Sequence, residues 1–172
     1  SLIVQNAHRI VEGQMPQKGG PKDDFFMIES TGLACQKLVC DLVSSRLPKA
    51  YGFDPVQDIQ VLCPTKVGPT GSVELNRRLQ EILNPPMRGK PQIGTEKNAK
   101  ILRLGDKVMQ IKNDYDITYE RDGAEAGVGA YNGDLGIITA VDPDARAVTV
   151  MMDDRKYVYS ADQLAELEPA YA

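Results

Sequence analysis

The stretch GIITAVDPDARAVTVMMDDRKYVY, residues 136–159, decides the fold of the second half of the chain. It contains three short apolar runs, which lie at residues 136–141, 147–152 and 156–159. Asp142-Pro143-Asp144 provides a turn between the first two. Short apolar runs between turn residues are typical of antiparallel strands. Together with a further run at residues 108–111, they predict a small antiparallel barrel of SH3 type over residues 104–165.

The first hundred residues have a different spacing of apolar residues. Apolar residues recur at helical spacing in three segments, which lie at residues 2–11, 33–47 and 73–83. Two short apolar runs, residues 25–28 and 58–62, alternate with these segments. Such alternation predicts a parallel sheet covered by helices. Because two strands are too few for a stable sheet of this kind, we expect residues 1–103 to be a partial α/β layer of a larger domain.

Charge is distributed unevenly along the chain, whose net charge is -4. Residues 58–113 carry ten basic and five acidic side chains, whereas residues 114–172 carry four basic and thirteen acidic ones. A basic block inside an acidic chain favours a local phosphate-binding face. A solvated surface that binds nothing is the alternative explanation of the same counts.

Three cysteines and one histidine provide few ligands for a metal ion. Cys35, Cys40 and Cys63 have no paired close spacing, so we expect small buried side chains rather than disulfides or a metal site. No apolar run has the length of a membrane span, and no secretory signal is visible. The sequence predicts a cytoplasmic protein without a membrane partner.

Five local motifs carry a family resemblance. In chain order they are NAHRI at 6–10, DIQVLCPTK at 58–66, GDKVMQIKN at 105–113, YNGDLG at 131–136 and AYA at 170–172. In this order they resemble the RecD-type DNA helicases, specifically the RecD2 branch of superfamily 1B. The resemblance covers essentially the whole chain.

The resemblance implies a domain organisation. Residues 1–103 would be a partial RecA-like motor domain (2A), residues 104–165 its SH3-like barrel insertion (2B), and residues 166–172 a strand returning to the motor domain. We therefore expect the chain to be a piece of an ATP-dependent 5'-to-3' DNA helicase, a hydrolase of DNA repair or recombination. Its partners would be single-stranded DNA and the rest of the helicase chain. A relaxase- or transposon-associated helicase with the same motor is also compatible with the sequence.

ATP binding needs parts that this sequence lacks. The family holds ATP and Mg with a glycine-rich phosphate loop that contains Lys and Ser/Thr, and with an acidic pair. No such loop occurs in the chain. We therefore expect ATP and Mg to bind in the intact parent, and we predict no catalytic, cofactor-binding or metal-binding residue in this segment.

The first group of candidate DNA-binding residues is Thr65, Lys66, Gly68 and Gly71. They follow the carboxyl end of a predicted strand, which is the edge where ligands bind in open α/β sheets. Glycines let a backbone approach phosphates closely, and Lys66 adds positive charge. With the resemblance, they predict contact with the backbone of single-stranded DNA. A turn that requires positive φ is the alternative explanation. Asn76 follows on the next predicted helix as either a DNA contact or a structural cap.

The second group of candidates is Lys107, Lys112, Asn113 and Tyr115, on the first barrel strand and at its end. Lysines can pair with phosphates, and a tyrosine can stack on a base. A solvated strand face with one half-buried tyrosine explains the same residues. Asn132-Gly133 is predicted to be a hairpin turn, because both residues tolerate positive φ.

An SH3-like protein-interaction module is the alternative function. Such a module would bind a partner, for example a proline-rich peptide, in a groove lined by aromatic side chains. The predicted barrel contains tyrosines but no Trp or Phe. We therefore prefer the helicase interpretation.

Overall fold

The structure, a computed structural model, describes residues 1–94 and 100–172. Its first part is a set of packed helices, which we call the helical layer. The helices are α1 (Leu2–Val11), α2 (Gly32–Asp41), α3 (Leu47–Tyr51) and α4 (Ser72–Leu83). The predictions of helices at residues 2–11 and 73–83 are confirmed by α1 and α4.

The second predicted helix continues past Pro48 instead of ending before it. A π-helical turn, Leu42–Arg46, joins α2 to α3, and Pro48 lies in the first turn of α3. A proline is tolerated there because the π-helical turn has already interrupted the regular i to i−4 hydrogen-bond pattern just before it. The helix ends at Gly52, whose φ of 71° is in the left-handed region.

The prediction of strands at residues 25–28 and 58–62 is wrong. Neither segment forms a strand, and the side chains of Ile28 and Leu62 are exposed. A strand requires a hydrogen-bonded neighbour, and no other segment of the described residues pairs with either run. The predicted RecA-like parallel layer is therefore not seen in residues 1–94 and 100–172, whose sheets are both antiparallel.

The second part is a curled antiparallel sheet, consistent with the predicted SH3-like barrel. The strands are β1 (Gln92–Gly94), β2 (Ile101–Arg103), β3 (Lys107–Gln110), β4 (Asp114–Glu120), β5 (Gly127–Ala130), β6 (Leu135–Asp142), β7 (Ala147–Met152), β8 (Arg155–Tyr159) and β9 (Leu167–Pro169). A 3-10 turn, Ala161–Glu166, precedes β9. β1 and β2 form a separate hairpin, and the other strands form one sheet in the order β5-β4-β8-β7-β6-β3-β9.

The sheet has seven strands. The predicted strands are confirmed by β3, β6, β7 and β8, and the additional pair is β4 and β5. Gly136 lets β6 lie close to β7, because a Cβ there would be 2.6 Å from the carbonyl oxygen of Met151. β9 pairs with β3, with Met109 opposite Glu168. The chain then leaves the sheet at residues 170–172 and reaches the helical layer.

Two separate apolar cores stabilise the molecule. The layer core is formed by Cys40, Val43, Leu75, Leu79 and Tyr171. The barrel core is formed by thirteen buried residues of the strands and of the 3-10 turn, among them Val108, Ile138, Val150 and Leu167. The β1–β2 hairpin packs on the barrel, because its Ile93 and Leu102 belong to the barrel core.

Candidate nucleic-acid interface

The loop of residues 65–71, called here the α4 loop, folds onto the first turn of α4. The backbone amides of Ser72 and Val73 donate to the carbonyls of Thr65 and Lys66, at 3.0 and 3.2 Å. These bonds use two of the amides that a helix leaves unpaired at its N-terminus. The loop is therefore held on α4 by the backbone of the helix itself.

Both glycines of the α4 loop are required by its tight turn. Gly68 has a φ of 90°, and a Cβ at Gly71 would lie 2.5 Å from the carbonyl oxygen of Val67. The Thr65 hydroxyl also donates to the Val67 carbonyl, at 3.2 Å. The turn alone thus accounts for the two glycines and for Thr65, and it leaves Lys66 as the exposed residue whose chemistry the turn does not explain.

A groove of about 480 Å³ lies between the α4 loop, α2 and α4. Residues that line it include Leu33 and Gln36 from α2, Val73 and Arg78 from α4, and Lys66 and Val67 from the loop. Gln36 is buried, and its Nε2 donates to the Pro69 carbonyl at 2.6 Å. This bond fixes the loop against α2 and keeps one wall of the groove in place.

The charges of the groove favour an anion. Glu74 is its only acidic lining residue among the described residues, and it is engaged by two arginines of α4. Arg77 Nη2 lies 2.6 Å and Arg78 Nε lies 3.2 Å from Glu74 Oε1. The hydrogen bond from Arg77 holds the pKa of Glu74 below its usual range. Lys66 forms no ion pair within the described residues, so its charge is available to a ligand.

Lys107 is buried rather than exposed. Its side chain lies between the barrel and the helical layer, where Nζ donates to the Ile59 carbonyl at 3.2 Å. Burial lowers the pKa of this ammonium group. Lys107 therefore anchors β3 to the segment around Ile59, and it does not face solvent as a surface cation would.

Lys112, Asn113 and Tyr115 lie together at the edge of the barrel. Lys112 is exposed and pairs with the buried carboxylate of Glu166, with Nζ 3.4 Å from Oε1. Asn113 accepts a hydrogen bond from the Asn132 amide at 2.9 Å, and its Nδ2 donates to the Tyr115 hydroxyl at 3.2 Å. Asn113 thus holds the Tyr115 ring beside the turn that contains Asn132.

Tyr131 joins this group, although it was not among the predicted DNA-binding residues. Tyr115 is 65% exposed and Tyr131 is 46% exposed, and their ring centroids are 6.0 Å apart in an edge-to-face arrangement. Tyr131 precedes the predicted turn at Asn132-Gly133, where Gly133 has a φ of 98°. We call Lys112, Asn113, Tyr115 and Tyr131 the barrel patch. The signal in the sequence was the position of Tyr131 in the YNGDLG motif.

The structure divides the predicted site residues among three places. The α4 loop holds four of them, the barrel patch holds three, and Lys107 lies buried between the two parts. Asn76 is a structural clamp: its Nδ2 donates to the Ala172 carbonyl at 2.8 Å, and its Oδ1 accepts from the Ala172 amide at 2.9 Å. Loop and patch together offer one unpaired cation and two exposed aromatic rings.

Comparison with known proteins identifies the family that this chain resembles. Residues 75–152, from α4 to the end of β7, match the SH3 domain of ATP-dependent RecD-like DNA helicases. The ATP-dependent RecD2 DNA helicase of Deinococcus radiodurans is 29% identical over 170 residues. The resemblance to RecD-type helicases is confirmed. The match with the RecD2 helicase covers 99% of this chain and 20% of the relative, so the chain spans about a fifth of that RecD-type protein.

In the described part of the chain, no group of three or more His, Cys, Asp or Glu side chains is placed to hold a metal ion. None of the helices in the described ranges is long and apolar enough to cross a membrane.

Proposed function

We propose that this chain contributes single-stranded DNA contacts to an ATP-dependent 5'-to-3' DNA helicase of RecD2 type. The observation that carries the proposal is Lys66, an exposed cation without an ion-pair partner in the described residues, on a tight loop at an open groove. A fixed cation of this kind binds a phosphate without reading sequence. The RecD-like SH3 domain and the RecD2 relative support the assignment.

The barrel patch supplies the second contact of the proposed DNA path. Exposed tyrosine rings stack on bases of any sequence, and stacking requires a base that is not paired in a duplex. Lys112 adds a cation that is partly balanced by Glu166. A strand whose phosphate lies at Lys66 and whose base lies on Tyr115 or Tyr131 would be single-stranded DNA.

The remaining parts of the proposed activity belong to the intact parent. ATP and Mg would bind there, the rest of the helicase chain would be the protein partner, and the process would be DNA repair or recombination in the cytoplasm. We propose residues 1–103 as part of the second motor lobe, and residues 104–165 with the return at 166–172 as the barrel that guides DNA.

A binding experiment with the purified chain tests the proposal. Fluorescence anisotropy with a labelled single-stranded oligonucleotide at low salt should show weak binding that Lys66→Ala reduces. The matched control is Lys49→Ala, which removes an exposed lysine from α3 and should leave the affinity unchanged. Equal losses for the two variants, or no loss for Lys66→Ala, would show that the α4 loop is only a turn.

The protein-interaction module is the second candidate function, because the two exposed tyrosines of the barrel patch could line a peptide groove. A proline-rich peptide should not displace the labelled DNA. It should also produce no chemical-shift changes at Tyr115 or Tyr131. Saturable shifts at these residues with the peptide, in the absence of DNA binding, would favour the protein-interaction module.

A further inference from the structure

A buried polar network joins the two parts of the molecule. The layer core and the barrel core do not merge, so apolar packing does not run continuously from one part to the other. Between them lies the carboxylate of Asp106, at the start of β3. It is fully buried, with an exposed fraction of 0%. A buried carboxylate is costly unless several donors compensate for its lost hydration.

Asp106 receives hydrogen bonds from three different elements. Gln80 Nε2 and Asn84 Nδ2, on and just after the last turn of α4, donate to it at 2.7 and 2.8 Å. The backbone amide of Arg103 donates at 2.7 Å from the end of β2. The Tyr171 hydroxyl donates at 2.7 Å from the C-terminal segment. Burial and the neighbouring carboxylate raise the pKa of Tyr171, so its phenol stays protonated and remains a donor.

The same donors also bind the chain around Asp106. Gln80 Nε2 donates to the Ile101 carbonyl at 2.8 Å, and Asn84 Nδ2 donates to the Leu104 carbonyl at 3.0 Å. Both carbonyls precede Asp106: Ile101 lies on β2, and Leu104 lies in the turn between β2 and β3. Gln80 and Asn84 therefore hold the start of the barrel at the side chain of Asp106 and at two backbone carbonyls.

Arg103 completes the network. Its side chain is 1% exposed, and its Nη1 donates to the Asn84 carbonyl at 2.6 Å. Its Nε donates to Gln92 Oε1 at 2.9 Å, and its Nη2 lies 3.7 Å from Glu81 Oε1. In the described residues, no buried side-chain nitrogen or oxygen is left without a partner. A fully satisfied network of this kind fixes one geometry, because any other arrangement leaves buried polar groups unpaired.

We propose that Asp106 is the positioning residue of a polar joint, formed with Gln80, Asn84 and Tyr171, that fixes the orientation of the barrel on α4. Apolar contacts slide with little change in energy, whereas sliding of this joint would leave buried donors without acceptors, which is unfavourable. Three directional bonds that reach one carboxylate from the other side of the joint therefore specify an angle as well as a contact.

The joint also has a consequence for the proposed DNA path. This consequence rests on the proposed function. The α4 loop is bonded to the first turn of α4, and Asp106 is bonded to its last turn. A helix of 12 residues is about 18 Å long and behaves as a rod. The joint thus keeps Lys66 and the barrel patch at a constant separation, so that one strand can contact both.

Residual dipolar couplings test the joint without DNA. They report the orientation of each N–H bond relative to one alignment frame. In the unmodified chain, the couplings of the helical layer and of the barrel should fit one alignment tensor.

In Asp106→Asn, each part should keep its own amide chemical shifts, but the two sets of couplings should need two different tensors. An Asn has one acceptor oxygen, and its NH₂ group would face donors. The matched control is Asp144→Asn, which changes an exposed carboxylate in the turn between β6 and β7 and should keep one tensor.

The result that would overturn the joint is a folded Asp106→Asn variant with one common tensor and the original orientation. Two tensors in the unmodified chain would overturn it as well. If Asp106→Asn does not fold, Tyr171→Phe decides, because it removes one donor and keeps the ring in the layer core. A loss of the common tensor in Tyr171→Phe supports the joint, and retention refutes it. Since no DNA is present, failure of the joint is distinct from failure of the proposed DNA contact.

Discussion

Lys66 and Lys107 carry the same charge, but the structure gives them different roles. Lys66 is exposed on the α4 loop, whereas Lys107 is 8% exposed and bonded to the Ile59 carbonyl. Sequence patterns could not separate the two, because both lysines lie beside apolar strand-like runs in the basic block. Burial is a property of the packed molecule, and it decides which cation can reach a phosphate.

Replacement of Lys107 tests this difference. Lys107→Met should leave the affinity for single-stranded DNA unchanged, and it should keep or raise the free energy of unfolding at neutral pH, by up to about 2 kcal/mol. Because burial lowers the pKa of Lys107 in the folded state, the charged form costs stability below that pKa. The cost is relieved as the pH rises from the folded pKa toward the unfolded one, and the variant should lack this rise. Urea unfolding across pH measures both effects, and a loss of DNA affinity would contradict the assignment.

The two tyrosines of the barrel patch have a separate expected effect. Tyr115→Ala or Tyr131→Ala should weaken binding of single-stranded DNA by about 1–3 kcal/mol, the usual value of one base–aromatic stack. Tyr115→Phe should retain binding, because stacking does not need the hydroxyl. Anisotropy titrations measure the affinities. Tyr51→Ala is the control, since Tyr51 is an exposed ring that stacks on Phe53 in the helical layer. If the Ala variants at the barrel patch and at Tyr51 bind DNA with equal affinity, the patch does not contact the DNA.

At the scale of elements, the α4 loop depends on its close backbone contacts. Gly71→Ala should lower the free energy of unfolding by about 1–3 kcal/mol, because the new Cβ would lie 2.5 Å from the Val67 carbonyl oxygen and the loop must shift. The shift should also reduce DNA affinity. Gly94→Ala is the matched control, since no heavy atom lies within 4 Å of a Cβ there. Urea denaturation compares the two variants, and equal midpoints would show that the loop is not under this constraint.

The helices and strands that were predicted correctly carry the signals for their formation within their own sequence. α1, α4, β6, β7 and β8 each have apolar periodicity and local stop signals. The strand bounds of the β4–β5 hairpin could not be predicted, because residues 114–130 contain charged and glycine residues without clear alternation. Its register depends on pairing with a distant strand, where Tyr119 lies opposite Tyr157.

The two wrong strand predictions have a different physical cause. Residues 25–28 and 58–62 have the composition of strands, but a strand also needs a neighbour, and composition does not supply one. The candidate site shows the same limit. The resemblance pointed to the α4 loop and to the patch, whereas Tyr131 and the buried Asp106 became visible only through contacts between residues far apart in sequence.

At the scale of the whole molecule, the chain consists of a curled antiparallel sheet and a helical layer that meet at the polar joint, and residues 75–152, which match the SH3 domain of RecD-like helicases, include parts of both. Both chain passages between the parts run beside α4: one follows its C-terminus at residues 84–92, and the other is clamped by Asn76 at Ala172. The basic block of the sequence includes α4 and its loop, and the acidic block forms most of the barrel. In the proposed DNA path, this division should direct phosphates toward the α4 loop and away from the far side of the barrel.

ATP hydrolysis should be absent from the purified chain. The sequence has no glycine-rich phosphate loop of the kind that holds ATP and Mg in the family. A phosphate-release assay with saturating single-stranded DNA should give the rate of a blank. DNA-stimulated hydrolysis by the pure chain would contradict this expectation.

The most direct test of the proposed DNA contact is the salt dependence of affinity in the chain with and without Lys66. For single strands, the slope of log K against log salt changes by about 0.7 for each phosphate that a protein neutralises. We expect Lys66→Ala to make the slope shallower by about this amount, equally for oligonucleotides of different sequence. A slope identical to that of the unmodified chain, with unchanged affinity throughout the salt series, would contradict it.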